Sequence, residues 1–199
     1  MLFTLIRYTV SAIIFIPILI VLNKKKLLRK KSVAIITIVS IIAFTSLISI
    51  FPVENAFIRF DTPEQAFSYV ETGKFDYVVE GESSSMVVYK KDSNTYSQIF
   101  LLKDEKGYML NSFYGYTLTD RMLDGNYALD IFKVKNTDDY YITGVLVSDT
   151  SNVELKSDTR DVKYDIRYNE NNNFFSAYIK EYADDIYLVC DGEKVEIGG

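Results

Sequence analysis

The chain has no histidine and no tryptophan, a single cysteine (Cys190), three prolines and nine glycines in 199 residues. Without histidine, Ser-His-Asp and Cys-His catalysis and imidazole metal ligation are excluded. One cysteine excludes an intramolecular disulfide and a thiolate zinc cluster. Residues 1–51 also lack acidic residues altogether, while carrying seven basic ones: Arg7, Lys24, Lys25, Lys26, Arg29, Lys30 and Lys31. Residues 52–199 hold the other 15 basic residues and all 27 acids, a net charge of −12. The chain divides into a basic apolar anchor and an acidic body.

Ser32 to Phe51 is a run of twenty residues without charge or proline. At about 1.5 Å per residue, a helix of that length spans about 30 Å, the thickness of a bilayer's hydrocarbon core. Leu2 to Leu22 is a second apolar run, interrupted by Arg7 and Pro17. Arg7 lies near its end, where a long stem can reach the headgroups beside Tyr8, and Pro17 is tolerated inside a membrane helix. A signal peptide would carry its basic cluster before the apolar run and a small-residue cleavage site after it; here the cluster follows and no such site is present. Two spans, at about 2–22 and 32–51, therefore flank the loop 23–31.

Six cations, Lys24, Lys25, Lys26, Arg29, Lys30 and Lys31, fall in that loop. Between two spans such a cluster marks the cytoplasmic side and touches anionic lipid headgroups, which places residues 52–199 outside the cell. Small residues recur at every third position of the second run, at Ala34, Thr37, Ser40, Ala43, Ser46 and Ser49. A step of three residues advances 300°, so this stripe winds around the helix and a partner helix can follow only part of it.

The body opens with a helix signal. Thr62 suits the N-cap, Pro63 the first turn and Gln65 the capping box, and Ala66, Phe67 and Val70 form an apolar stripe that stops before Gly73. Beyond it the pattern is strand-like, about ten strands in all, among them 75–80, 86–91, 96–103, 108–113, 162–168, 174–180, 186–190 and 194–197. In 162–168, Val162, Tyr164, Ile166 and Tyr168 alternate with Lys163, Asp165 and Arg167, as in a half-buried antiparallel strand. Asp191-Gly192 is the strongest hairpin signal. Polar and glycine residues around 115–126 suggest a seam between a helix-plus-four-strand part and a β-sandwich. The fold expected is a membrane-anchored one: two N-terminal transmembrane helices (anchor 1–51) and a mainly β antiparallel meander or sandwich, extracytoplasmic, with one short helix (52–199).

The stretches Thr62-Pro-Glu-Gln-Ala-Phe67, Val79-Glu-Gly81, Val134-Lys-Asn-Thr137 with Asp139-Tyr-Tyr141, and Asp191-Gly-Glu193 resemble uncharacterised envelope-anchored proteins of Gram-positive bacteria. The resemblance implies a location at the cell envelope and assigns no activity and no functional residue.

The remaining chemistry is sparse. Acidic pairs stand at Asp104-Glu105, Asp138-Asp139 and Asp184-Asp185. Convergent pairs can ligate Ca²⁺ or flank a sugar bond, but no calcium-loop pattern is present and each pair falls at an expected turn. Asp138, Asp139, Asp184 and Asp185 are kept as the candidate contacts for a cation or basic ligand. Ser83-Ser84-Ser85 with Lys90 lacks the S-x-x-K spacing of a Ser-Lys nucleophile, and Cys190 lies in an apolar strand, where cysteine acts as a small hydrophobe. The body holds 15 tyrosines and nine phenylalanines, residues that favour strands and can also line an interface. Its acidity argues against nucleic acid and anionic wall polymers and for cationic peptides or metal ions. The functional expectation is a non-enzymatic, cofactor-free extracytoplasmic binding, sensing or accessory protein of the cell membrane, partnered by the lipid bilayer and a protein. The alternatives are self-protection against a cationic peptide and, behind it, an envelope hydrolase.

Overall fold

The computed structural model describes residues 2–92, 95–112, 115–124, 127–146, 153–159, 164–169, 174–182 and 185–197. Two apolar helices lead the chain, α1 (Leu2–Lys24) and α2 (Lys31–Ile50), joined by a turn with the 3-10 segment Leu27–Arg29. Lys26 takes a left-handed conformation (φ 55°), which reverses the chain. All six loop cations are exposed. α1 runs two residues past the expected boundary, so Lys24 is helical, and Pro17 lies within it.

The helices pack as an antiparallel hairpin along Arg7, Ser11 and Phe15 on α1 and Thr37, Phe44 and Ile48 on α2. Phe15 meets Phe44 edge-on with ring centroids 5.5 Å apart. That seam follows the 3- and 4-residue helical spacing. Of the every-third-residue stripe it takes up Thr37 fully and Ala34 partly, leaving Ser40, Ala43, Ser46 and Ser49 exposed. Thr37 satisfies its hydroxyl by donating to the Val33 carbonyl, 2.8 Å away. The outward faces are bare and apolar: Ile13 is 67% and Ile36 65% exposed. Both helices have the length and composition to cross a membrane.

The body holds one short helix, α3 (Pro63–Val70), and twelve strands among the described residues. α3 starts as its sequence dictates: Gln65 N–H donates to Thr62 Oγ1 and Pro63 fills the first turn. The Gln65 side chain reaches back to the Asp61 N–H at 3.2 Å. Four strands follow, β1 (Lys74–Glu80), β2 (Ser84–Lys90), β3 (Tyr96–Asp104) and β4 (Gly107–Leu110), in an antiparallel sheet of order β1-β2-β3-β4. The second sheet has the order β5-β6-β7-β10-β9, from β5 (Tyr116–Asp124), β6 (Tyr127–Val134), β7 (Asp139–Leu146), β9 (Tyr164–Asn169) and β10 (Phe174–Lys180). The third, β12-β11-β8, takes β8 (Val153–Ser157), β11 (Ile186–Cys190) and β12 (Glu193–Glu196). The segment 115–126 is thus largely strand β5, and the change of sheet falls just before it. Val162 and the turn 170–173 lie outside the described residues.

Side-chain alternation stacks these elements in layers. Val87, Tyr89 and Leu101 pack the first sheet on Ala66 and Phe67 of α3. Met86, Val88 and Phe100, from its other face, meet Phe132, Val134, Tyr141 and Phe174 of the central sheet. Leu129, Ile131, Ile142, Phe175 and Ile179 cover the remaining face of the central sheet and pack on Leu155, Ile186 and Leu188 of the third. Gly144 leaves room for two of these side chains, since a Cβ there would lie 2.3 Å from Phe175 and 2.5 Å from Leu129. The Asp191-Gly192 turn closes the β11–β12 hairpin with φ 48° and 91°, the positive values a two-residue hairpin turn demands.

Candidate functional site

The two ends of the helical hairpin differ in what they meet. Among the described residues no hydrogen bond or ion pair ties the basic turn to the body, while the opposite end is fastened to it. Arg7 does not turn outward as its sequence position suggests. Its side chain and that of Glu54 are 5% and 2% exposed, with Nε 2.9 Å from Oε1 and a second contact of 3.2 Å to Oε2. Glu54 sits in the 3-10 segment Val53–Ala56, immediately after α2. The guanidinium also donates to the carbonyl of Ser49 (2.7 Å) and to that of Phe51 (3.4 Å). One cation therefore pairs with the first acid of the chain and satisfies carbonyls at the C-terminal end of α2, where the helix dipole favours positive charge. Asn55 extends the fastening: its side chain donates to the Leu110 carbonyl (2.7 Å) and accepts from the Leu110 N–H (3.0 Å). Tyr69 of α3 packs nearby, and burial and the Glu54 charge raise its pKa, against a smaller lowering by Arg7.

Beside this clasp lies a cleft of about 350 Å³. Arg7, Ser49 and Ile50 form its helical wall; Val70, Glu71, Ile99, Leu110 and Tyr116 belong to the body. The volume is within the range of small-ligand sites, and the lining is mainly apolar with a few polar groups.

A second polar assembly lies inside the body and is sealed. Asp139 is 1% exposed. Its Oδ2 accepts from the Ser83 N–H (2.8 Å) and the Ser84 hydroxyl (2.7 Å), and its Oδ1 accepts from the Tyr178 hydroxyl (3.0 Å). The Ser84 and Tyr141 hydroxyls lie 2.9 Å apart. Burial is the first cause raising the pKa of both tyrosines, with Asp139 adding to it. Gly81 closes over the group, since a Cβ there would stand 2.5 Å from the Tyr141 hydroxyl and 2.8 Å from Asp139. These bonds join the first sheet to the central one, and they commit every carboxylate oxygen to internal donors.

Of the four candidate acids, the three described stand in different settings. Asp138 is exposed, and its carbonyl accepts from the Glu181 N–H at 3.0 Å. Asp139 is the buried hub just described and is not available to a soluble ligand. Asp184 lies outside the described residues. Asp185 accepts from the Ser157 and Thr159 hydroxyls. Among the described residues no three acidic or cysteine side chains converge on a metal-sized space. The Ser83–Ser85 run and Lys90 do not pair: Ser84 serves Asp139 and Ser85 donates to Glu80 at 2.7 Å, while the Lys90 ammonium lies 5.2 Å from the Tyr96 ring centroid. Cys190 is half-buried, with its thiol pKa raised by burial and then by Asp191, which disfavours the reactive thiolate.

Among the described residues, aromatic side chains pack on one another. Tyr96 and Phe174 lie parallel at 5.0 Å, and Phe100 meets Tyr116, Phe132 and Tyr141 at 4.7, 5.4 and 5.5 Å. Comparison of the chain with protein-family models, with curated proteins and with solved structures gives no match. The functional reading therefore rests on the geometry alone.

Proposed function

We propose that this protein is a non-enzymatic binding protein of the cell envelope, held in the membrane by α1 and α2 with its β-rich body on the outer face. The single observation that carries the reading is the position of the clasp and cleft. Arg7 and Glu54 fasten the body to the hairpin end opposite the six cations. If those cations face the cytoplasm by the positive-inside rule, body and cleft stand outside. The bare apolar faces of the helices support the same seating, because a hairpin so exposed in water would aggregate. A cleft between anchor and body, at the depth where the helices leave the hydrocarbon, is a place to engage a partner or ligand at the membrane surface.

Site-specific photocrosslinking of the full chain in native membranes tests this. A photoreactive phenylalanine derivative replaces Tyr116 at the cleft and, in a second variant, Tyr187 on the far sheet. The reading expects discrete adducts from position 116 that position 187 does not give. Identical adduct patterns from both, or none from either, would remove the cleft from the account.

The self-protection reading, capture of a cationic peptide, keeps the support of the body's net charge of −12. It does not keep Asp139 as a contact.

A further inference from the structure

Taking the anchored reading as its base, the cleft's chemistry narrows the ligand class. Of the charged groups that line it, Arg7 is cancelled by Glu54 and committed to two carbonyls. The other is Glu71, at the C-terminal end of α3, whose carboxylate has no ion-pair or hydrogen-bond partner among the described residues. The cleft is therefore a mainly apolar recess with one uncompensated negative charge, in a body whose net charge is also negative. An anionic headgroup or fatty acid meets repulsion there from both Glu71 and the field of the body. A neutral chain gains the apolar contacts alone. A molecule with an apolar chain and an ammonium or guanidinium head gains both, burying methylenes against Ile50, Val70, Ile99 and Leu110 while its charge stands at Glu71.

We infer that the junction cleft is a binding site for an amphipathic cation, with Glu71 as its counter-charge. Its place beside the emerging helices lets such a molecule be taken as it partitions into the outer leaflet.

The chain lacks tryptophan, so a single introduced indole reports one location. Ser112→Trp places it at the cleft; Phe57→Trp places it on a residue 90% exposed at the same junction and outside the cleft lining. Both full-length variants are reconstituted in zwitterionic lipid discs. They are titrated with chain-brominated dodecyltrimethylammonium and with chain-brominated dodecyl maltoside, whose bromines quench indole on contact. The expected result is saturable quenching at position 112 by the cation, at about two- to fivefold lower concentration than by the maltoside, the range of an exposed ion pair. Glu71→Gln in the Ser112→Trp background brings the two titrations together, and position 57 shows only unsaturable quenching by both. Equal half-points for the two amphiphiles with Glu71 intact, or no difference between positions 112 and 57, would overturn the inference. Discs made with brominated lipid separate this from a failure of the anchored reading. Quenching of Phe57→Trp by the lipid itself shows the junction seated at the bilayer, and its absence there refutes the seating on which the inference rests.

Discussion

Removing one partner of the Arg7–Glu54 clasp is the most informative perturbation of this fold. Arg7→Met keeps most of the aliphatic stem and deletes the charge, leaving the Glu54 carboxylate in a site where its side chain is 2% exposed. Breaking a buried pair from one side costs about 3–5 kcal/mol, because the surviving charge keeps its desolvation penalty and loses its compensation. The Ser49 carbonyl loses the guanidinium donor in the same step, and the Phe51 carbonyl is left with the Val53 N–H. At roughly 2–4 °C per kcal/mol for a body of this size, the thermal midpoint should fall by about 6–20 °C. The assay is unfolding of the full chain in detergent, followed by the near-ultraviolet dichroism of its tyrosines. Arg7→Met with Glu54→Leu removes both charges, and the double variant should recover at least half of the loss, since an apolar pair of similar volume is close to neutral. A single-variant cost below about 1 kcal/mol, or strictly additive effects in the double variant, would show that the pair does not fasten the hairpin to the body.

Three further outcomes follow from the body. Asp139→Ala removes the carboxylate that accepts from the Ser83 N–H and from the Ser84 and Tyr178 hydroxyls inside the inter-sheet layer, leaving Ser84 with the Tyr141 hydroxyl, and should cost about 2–4 kcal/mol in urea unfolding, whereas an exposed Asp138→Ala should change stability by less than about 0.5 kcal/mol. Gly81→Ala forces a methyl against the Tyr141 hydroxyl and Asp139 and should cost about 1–3 kcal/mol by the same measurement. Tyr108 has its pKa pushed up to about 12, by burial first and then by its bond to Glu80, and burial likewise raises Tyr141 and Tyr178. A raised tyrosine pKa means that the folded state holds the proton more tightly. Stability is therefore intact below about pH 10 and falls as pH rises toward 12. Phenolate absorbance should show these hydroxyls ionising after the exposed tyrosines; simultaneous titration of all of them would contradict the burial assigned here.

Local signals were legible and tertiary ones were not. The cap Thr62-Pro63, the Asp191-Gly192 turn and the two long apolar runs are short-range codes, and the structure forms a helix start, a hairpin turn and two helices there. Strand β10 shows where alternation fails as a guide. Phe174 to Ile179 are all buried because both faces of the central sheet are covered, so no polar stripe marks its register. The serines at 83–85 read as a turn because serine favours turns, yet Ser84 and Ser85 open β2 and find their partners in side chains of other segments of the chain. Asp139 read as a surface acid for the same reason. Its donors lie 39 to 56 residues away, a distance at which no spacing rule operates. Arg7 offered a partial signal: one cation inside an apolar run, with Glu54 as the first acid after it. Charge pairing across that gap was the available inference, and snorkelling to the headgroups competed with it. Glu71, which gives the cleft its sign, had no signal beyond its place after a helix end.

The central claim is that the helices cross a membrane and set the body on the side opposite the basic turn. Single cysteines in a Cys190→Ser background test it directly, with Lys25→Cys in the turn and Asp138→Cys on the body, both exposed. Intact cells carrying each variant are treated with a membrane-impermeant maleimide, before and after permeabilisation. The account predicts that position 138 labels in intact cells and position 25 only once they are opened. Labelling of position 25 from outside, or of 138 only after permeabilisation, would reverse the orientation and with it the placing of the cleft on the outer face.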